Sequence, residues 1–321
     1  VSESGIERIA VIGGGLMGKG IAQVFAAAGR TVKLQDVSEE ALAAAPGVIR
    51  DNLALLAENG LFPAGEIDDA VARVSTTTDL DEAADGAQFI VEAVFEELTL
   101  KQRVFARLDE FCPEETILAT NTSVMSVGEI GASTLHRERV IGTHFWNPPY
   151  LLPLVEVVRT PYTAQEVIDT TITLLREVGK RPIDVRKDVP GFVANRLHHA
   201  LWREAISIVE QGIADAETVD ESIRYGFGLR LPVLGPLENA DMVGLDLTLS
   251  IHDYILPHIE DSPQPSPLLR QKVADGDLGF KTGEGFRKWT PEEAEASRRR
   301  LAEYLVHVLA DERRRELTDG D

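Results

Sequence analysis

Cysteine is nearly absent from this chain: Cys112 is the only one in 321 residues, so no disulfide can form within it. Basic charge is scarce. The chain carries 32 Lys and Arg against 53 Asp and Glu, a formal net charge of −21. That balance argues against a nucleic-acid partner, which would need a basic face, and against docking on an acidic membrane surface. No apolar stretch approaches the ~20 residues of a membrane span. The first residues do not form a basic segment leading into an apolar core, so no secretory signal is read there and a cytoplasmic protein is expected. An apolar share of 44% is enough for real cores, and the length favours two domains over one.

What is present begins at the start of the chain. The apolar run Arg8–Ile12 reads as a buried strand. Gly13-Gly14-Gly15-Leu16-Met17-Gly18 follows, then a helical stretch from Lys19 to Gly29, a second apolar run Thr31–Gln35, and Asp36. Strand, glycine turn, helix, strand and acid together form a dinucleotide-binding pattern. Gly13 permits the tight turn, Gly15 lets the backbone approach a pyrophosphate, and Gly18 lets the helix pack close to the strand. The helix N-terminus offers N–H groups to the phosphates, and Leu16 and Met17 of the turn are counted among the cofactor-binding residues. Asp36 lies 18 residues past Gly18, placed to accept from the ribose hydroxyls and repel a 2′-phosphate, so NAD is expected rather than NADP.

Apolar runs then alternate with helical stretches up to about residue 120, with further strands expected at Gln88–Ala93 and Thr116–Thr120. Alternation of this kind predicts an α/β fold with a doubly wound parallel sheet. Convincing strands stop after about residue 186. Helical stretches follow at Leu197–Gly212, Ala216–Tyr225, Leu268–Val273 and Glu292–Leu317. The expectation is a Rossmann-type domain over residues 1–187 and a mainly helical domain over 188–321. Polar residues concentrate where strands of the first domain should end: Asp36, Glu96, Asn121 and Ser123.

A second constellation lies in Thr143-His144-Phe145-Trp146-Asn147-Pro148-Pro149, followed by Leu154-Val-Glu156-Val. Glu156 sits among apolar neighbours, and a buried carboxylate needs a partner. His144, 12 residues earlier across a proline-rich turn, is the obvious one. A His–Glu pair fixes the imidazole tautomer and stabilises the imidazolium, as a general base requires. Residue types alone leave open the other reading, in which His144 satisfies a backbone carbonyl and Glu156 faces water. His198-His199 lacks a third ligand at useful spacing, so no metal is expected.

These motifs together resemble the L-3-hydroxyacyl-CoA dehydrogenase family. Its HFFNP…LVEV signature stands here as His144-Phe-Trp-Asn147-Pro and Leu154-Val-Glu156-Val. Its SNTS stretch is Thr120-Asn121-Thr122-Ser123, and its PGF-x-x-NR motif is Pro190-Gly191-Phe192-Val-Ala-Asn195-Arg196. Its EN-x-x-x-K stretch is Glu96-Glu97-Leu-Thr-Leu-Lys101, and its C-terminal GKKTGEGFY-like stretch is Gly279–Phe286. The resemblance implies NAD-dependent hydride transfer with His144 as base and acid and Glu156 orienting it. Ser123 would bond the reacting oxygen, and Asn195 would reach over the substrate from the helical domain. Glu96 and Lys101 would hold the ribose and nicotinamide side, Lys281 would close over it, Asn121 would flank the cofactor, and Asn147 would brace the loop carrying His144. A homodimer formed through the helical domain is implied as well.

Departures from the family pattern concern the substrate. Pro153 stands where acyl-CoA members carry a lysine, and Arg50 is the only basic residue in Ser38–Gly65, where such members gather charge for the CoA phosphates. The leading expectation is an L-3-hydroxyacyl-CoA dehydrogenase. The alternative is a relative acting on a small free hydroxy-carboxylate or related aldehyde, like the formyl-pyridine-carboxylate, carnitine and gulonate dehydrogenases. Arg203, eight residues past Asn195, would then clamp the carboxylate. A non-catalytic, crystallin-like NAD-binding protein is the third reading, which the intact set Ser123, His144, Glu156 and Asn195 disfavours.

Overall fold

Eight strands form one sheet in the computed structural model, which describes residues 2–319. In chain order they are β1 (Arg8–Ile12), β2 (Thr31–Gln35), β3 (Val74–Thr77), β4 (Phe89–Glu92), β5 (Ile117–Thr120), β6 (Val140–Phe145), β7 (Leu154–Val158) and β8 (Arg181–Val185). Their spatial order is β3-β2-β1-β4-β5-β6-β7-β8. All neighbours run parallel except β6 and β7. The exception follows from the connection: a short proline-rich turn can only reverse the chain, whereas parallel neighbours need a crossover. The strand order reverses between β1 and β4, and ligands of doubly wound sheets bind beyond the carboxyl ends at that point.

Helices cover both faces, which is why the strands are nearly continuous apolar runs. Successive side chains point to opposite faces: Ile9 and Val11 join one core with Leu34, Phe25, Phe89 and Val91, while Ala10 and Ile12 join the other with Ile90, Phe105 and Leu118. Phe25 lies 6.3 Å from both Phe89 and Phe145, so the first helix is locked beneath the strands that carry the site. Burying an aromatic of this size is worth roughly 1.5–3 kcal/mol.

The helix expected from Lys19 begins three residues earlier and spans Leu16–Ala27, with Gly15 as its N-cap. The glycine motif is therefore part of the helix start, not only a loop before it. Similarly, the helix expected over 197–212 is Ala194–Glu210, because the turn at Gly191 and Phe192 releases the chain into helix earlier than its apolar stripe suggests.

Spatial contacts divide the chain into two compact units. One runs up to Asn195 and regains the chain from Leu301 onward; the other is Arg196–Arg300. The outermost residues of both expected domains, Val1, Gly320 and Asp321, lie outside the described residues. The second unit is built of helices including Ala216–Tyr225, Pro236–Val243, Leu245–Ile255 and Pro267–Asp275. Asp215 and Ser266 cap two of them, their side chains accepting from the N–H groups of Thr218 and Leu269. Among the described residues the only pairings after β8 are the isolated bridges of Glu284 to Gly279 and Lys288.

Candidate active site

The glycine turn joins β1 to its helix. Gly13 takes φ +108°, and a Cβ there would lie 2.5 Å from the Ala93 carbonyl oxygen. A Cβ at Gly18 would fall 1.7 Å from the Gly13 carbonyl oxygen, so the helix packs first on the turn itself, with Val11 of the strand further off at 3.6 Å. Gly15 differs: a Cβ there would meet nothing within 4 Å. The protein's own packing does not require that glycine, and the helix it caps has no side-chain cap. Open space in front of uncapped N–H groups fits the pyrophosphate of a dinucleotide. At the end of β2, Asp36 accepts from the N–H of Gly14 (2.6 Å) and of Ser38 (2.8 Å). Each carboxylate oxygen retains a lone pair for a ribose hydroxyl. Leu16 is exposed at the helix start and Met17 is half-buried.

A buried ion cluster organises the ends of β4 and β5. Lys101 donates to Glu92 (2.8 Å) and lies 3.2 Å from Glu96; Lys101 and Glu92 are fully buried. Glu92 also accepts from the Val94 N–H and the Thr120 hydroxyl, both at 2.7 Å. Burial opposes the charge on Glu96, but hydrogen bonds from the Thr122 hydroxyl and the Ser123 N–H, with the Lys101 ammonium, hold its carboxyl below the usual range. Lys101 thus stands between the two carboxylates, and Glu96 grips the Thr122 hydroxyl and the Ser123 N–H. Glu92 was not singled out from the sequence. The rule applied to Glu156, a carboxylate inside an apolar strand needing a partner, would have found it in Phe89-Ile-Val-Glu92.

His144 and Glu156 are directly opposite each other across the antiparallel β6–β7 pair. His144 Nδ1 lies 2.7 Å from Glu156 Oε2, and both side chains are buried. Glu156 Oε1 accepts from the N–H groups of Val193 and Ala194, both at 3.0 Å. Those groups open the helix Ala194–Glu210, so the carboxylate occupies a helix N-terminus, where negative charge is favoured. Burial opposes ionisation of Glu156, and the His144 bond with the two backbone donors outweighs it, holding the carboxyl below its ordinary range. An ionised carboxylate only accepts, so Nδ1 carries the proton and Nε2 presents a lone pair. Phe192 packs on the His144 ring (5.9 Å) with Trp146 (5.4 Å). Phe192 takes φ +50° after Gly191, a left-handed conformation that costs about 1–2 kcal/mol in a side-chain-bearing residue. That turn aims the Val193 and Ala194 N–H groups at Glu156, a feature the sequence did not signal beyond Pro190-Gly191.

Asn195, expected from the helical domain, stands in the first turn of the helix Ala194–Glu210 and is the last residue of the first compact unit. Its Nδ2 donates to the Ser123 carbonyl oxygen at 2.8 Å. Ser123 is thereby gripped by Glu96 and Asn195 through its backbone, and its hydroxyl makes no hydrogen bond among the described residues. Asn121 accepts from the Phe145 N–H at 2.8 Å, tying β5 to the residue after His144. Asn147 is exposed and precedes a cis peptide to Pro148. Arg203 and Lys281 belong to the second unit. Arg203 approaches the Ser262 carbonyl at 3.5 Å and makes no ion pair among the described residues; Lys281 is exposed in the loop bridged by Gly279 and Glu284. Among the described residues no three His, Cys, Asp or Glu side chains group as metal ligands.

Two family models match the chain. The 3-hydroxyacyl-CoA dehydrogenase NAD binding domain covers residues 8–189, and the 3-hydroxyacyl-CoA dehydrogenase C-terminal domain covers residues 191–289. The mitochondrial hydroxyacyl-coenzyme A dehydrogenase of Homo sapiens is 39% identical over 291 residues, 88% of this chain and 91% of that protein. A probable 3-hydroxybutyryl-CoA dehydrogenase of Bacillus subtilis is 41% identical over 282 residues, covering 88% and 96%. Among solved structures, a 5-formyl-3-hydroxy-2-methylpyridine 4-carboxylic acid 5-dehydrogenase, described as an NAD+ dependent dismutase, superposes with a TM-score of 0.88 at 34% identity, covering 94% of this chain and 97% of that one.

Proposed function

The chain belongs to the 3-hydroxyacyl-CoA dehydrogenase family, and from that premise we propose that it is an NAD-dependent dehydrogenase moving a hydride between the 3-hydroxyl carbon of an acyl-CoA thioester and the nicotinamide. The observation that carries this reading is the His144–Glu156 pair, buried, 2.7 Å apart and carried by β6 and β7 of the same sheet whose first strand leads into the glycine turn.

Bound NAD supplies the hydride acceptor. The uncapped N–H groups at Leu16 and Met17 would hold its pyrophosphate, and Asp36 would take its ribose hydroxyls. Glu96 and Lys101 would hold the ribose and nicotinamide side, and Asn121, Asn147 and Lys281 are the further residues we assign to the cofactor. His144 Nε2 accepts the proton of the substrate hydroxyl as the hydride leaves its carbon. Glu156, already ionised and stabilised by two backbone donors, balances the imidazolium. Ser123 donates to the reacting oxygen, and Asn195 keeps Ser123 in place. We assign cofactor binding to residues 1–187, and substrate contact and dimerisation to 188–321, while the chain from Leu301 onward packs with the first unit. A homodimer is supported by the apolar side chains that the second unit leaves outside, among them Leu229, Leu237, Leu245 and Leu249. The single cysteine, whose thiol burial pushes up to about 11, suits the cytoplasm. No helix among the described residues is long and apolar enough to cross a membrane.

A second reading has its own support. Arg50 is the only basic residue between Ser38 and Gly65, and it is engaged with Asp68. The TM-score of 0.88 to the pyridine-carboxylate enzyme exceeds the 0.74 to a 3-hydroxybutyryl-CoA dehydrogenase of Escherichia coli. In this reading the substrate is a small free hydroxy-carboxylate or aldehyde, and Arg203 takes its carboxylate.

The test follows absorbance of the reduced cofactor with NAD or NADP against 3-hydroxyacyl-CoA thioesters and free hydroxy acids. Turnover of thioesters with NAD is the expected result. Turnover of free acids alone replaces the first reading with the second. NAD binding without turnover of any substrate points to the non-catalytic reading.

A further inference from the structure

Lys180 has no part in the proton chemistry described above, yet it is buried, and among the described residues no carboxylate pairs with it. An ammonium removed from water without a counter-ion is costly. The cost is met by two backbone oxygens: Nζ donates to the Pro149 carbonyl and, at 3.1 Å, to the Leu152 carbonyl. The next residue extends the seam, since the Arg181 N–H donates to the Pro153 carbonyl at 2.9 Å.

All three acceptors belong to the turn between β6, which carries His144, and β7, which carries Glu156. The turn closes on itself weakly, with the N–H groups of Leu151 (3.0 Å) and Leu152 (2.9 Å) sharing the one carbonyl of Pro148. Pro149 is gripped from its other side. It packs on Gly20 so tightly that a Cβ there would lie 2.9 Å from Pro149 Cδ. Gly20 stands on the helix Leu16–Ala27, which begins at the glycine turn. One proline is therefore held between that helix and the Lys180 ammonium.

We propose that Lys180 is a positioning residue, whose ammonium clasps the Pro149–Leu152 turn and so sets where His144 and Glu156 stand relative to the helix that begins at the glycine turn. The proposal rests on the reading of His144 as the base. A slack turn lets the two strands shift, and misplacement by about 1 Å can cost ~10²-fold in rate. A methionine would fill the space and leave the carbonyls without donors. The groups facing Lys180 across a cavity of about 390 Å³ are Tyr150, Arg181, Glu312 and Arg313. Burial raises the Tyr150 phenol above its ordinary value and pushes Lys180 down to about 8. Loss of the proton leaves an amine that still donates, without the charge that makes such bonds about twice as strong.

The test compares wild type, Lys180→Met and Lys180→Arg by kinetics and by the ring ¹⁵N signals of His144, assigned with His144→Gln. In wild type, kcat falls and the His144 signals shift as pH rises through about 8. Lys180→Arg keeps both flat over that range. Lys180→Met lowers kcat about ten-fold at neutral pH while NAD affinity stays within about twofold, and its profile lacks the step. The proposal is overturned if Lys180→Met turns over within about twofold of wild type, or loses kcat and NAD affinity together. It is equally overturned if the His144 signals show no inflection in wild type or the same inflection in Lys180→Arg. Should Lys180→Met not fold, wild type and Lys180→Arg decide the matter. The signals of His144 need no turnover, so a protein inactive on every substrate tried, which would sink the functional reading, still tests the clasp.

Discussion

The β6–β7 hairpin and the helical stretch from Phe227 to Ile259 treat the same physical problem in opposite ways. In the hairpin every residue of β6 is buried, and the His144 and Glu156 side chains satisfy each other, with the Val193 and Ala194 N–H groups completing Glu156. In the helical stretch no residue is buried, although Leu229, Val233, Leu237, Leu245 and Leu249 are all apolar and outward. Scattered exposed leucines need no explanation, but a contiguous series does. The difference sets a region that satisfies its polar groups internally against one that leaves an apolar surface open, the surface to which the proposed homodimer is assigned.

The largest effect tests the first half of that contrast. His144→Gln should lower kcat by on the order of 10²–10⁴-fold, with NAD affinity by fluorescence titration within about twofold of wild type. Parallel loss of both would mean that the hairpin is not a site separable from the glycine turn. The second half is sharpened by Leu245→Asp combined with Leu249→Asp, two positions one helical turn apart on the same face. On the proposed homodimer, sedimentation should show wild type as a dimer and the double variant as monomers at the same concentration, with association weakened by roughly 30-fold or more. An unchanged mass would show that this surface is not the interface.

The smallest effect concerns an anchor of the first unit away from the site. Burial opposes the charge on Glu177, but hydrogen bonds from Ser4, Ser2 and the Glu3 N–H lower its carboxyl from 4.5 to about 2. Arg30 adds an ion pair at 2.8 Å. The folded-state value is depressed, so this contribution is present above the ordinary carboxyl range and is lost as pH falls from about 4.5 through about 2. Glu177→Gln should cost about 1–2 kcal/mol in denaturant unfolding near neutral pH. The gap from wild type should close toward pH 2, while kcat is unaffected. A gap independent of pH would assign the effect to packing rather than charge.

Much of this was legible in the linear chain. β1 and β2 have the expected bounds, the alternation after them is a doubly wound sheet, and the region past residue 186 is helical. Glycine is readable because it stands where a side chain would collide, as the 1.7 Å approach at Gly18 shows, and such collisions are local. Less legible was anything resting on contacts between distant segments. That Lys101 lies between Glu92 and Glu96, that Asn195 holds Ser123 from within the first unit, and that the chain from Leu301 returns to that unit all involve partners unmarked by spacing.

The sequence alone determined the residue types: a glycine turn before a helix, an acid at the end of the second strand, and a histidine and a glutamate flanking a proline turn. These follow from backbone sterics and side-chain chemistry, which act over a few residues. Only the tertiary structure decided that His144 and Glu156 are register partners, that a left-handed Phe192 points two N–H groups at Glu156, and that Lys180 closes the turn between them. Register depends on how strands pair, and burial without a counter-ion depends on what packs around it. Both are properties of the assembled fold, in which segments tens of residues apart share one low-dielectric interior.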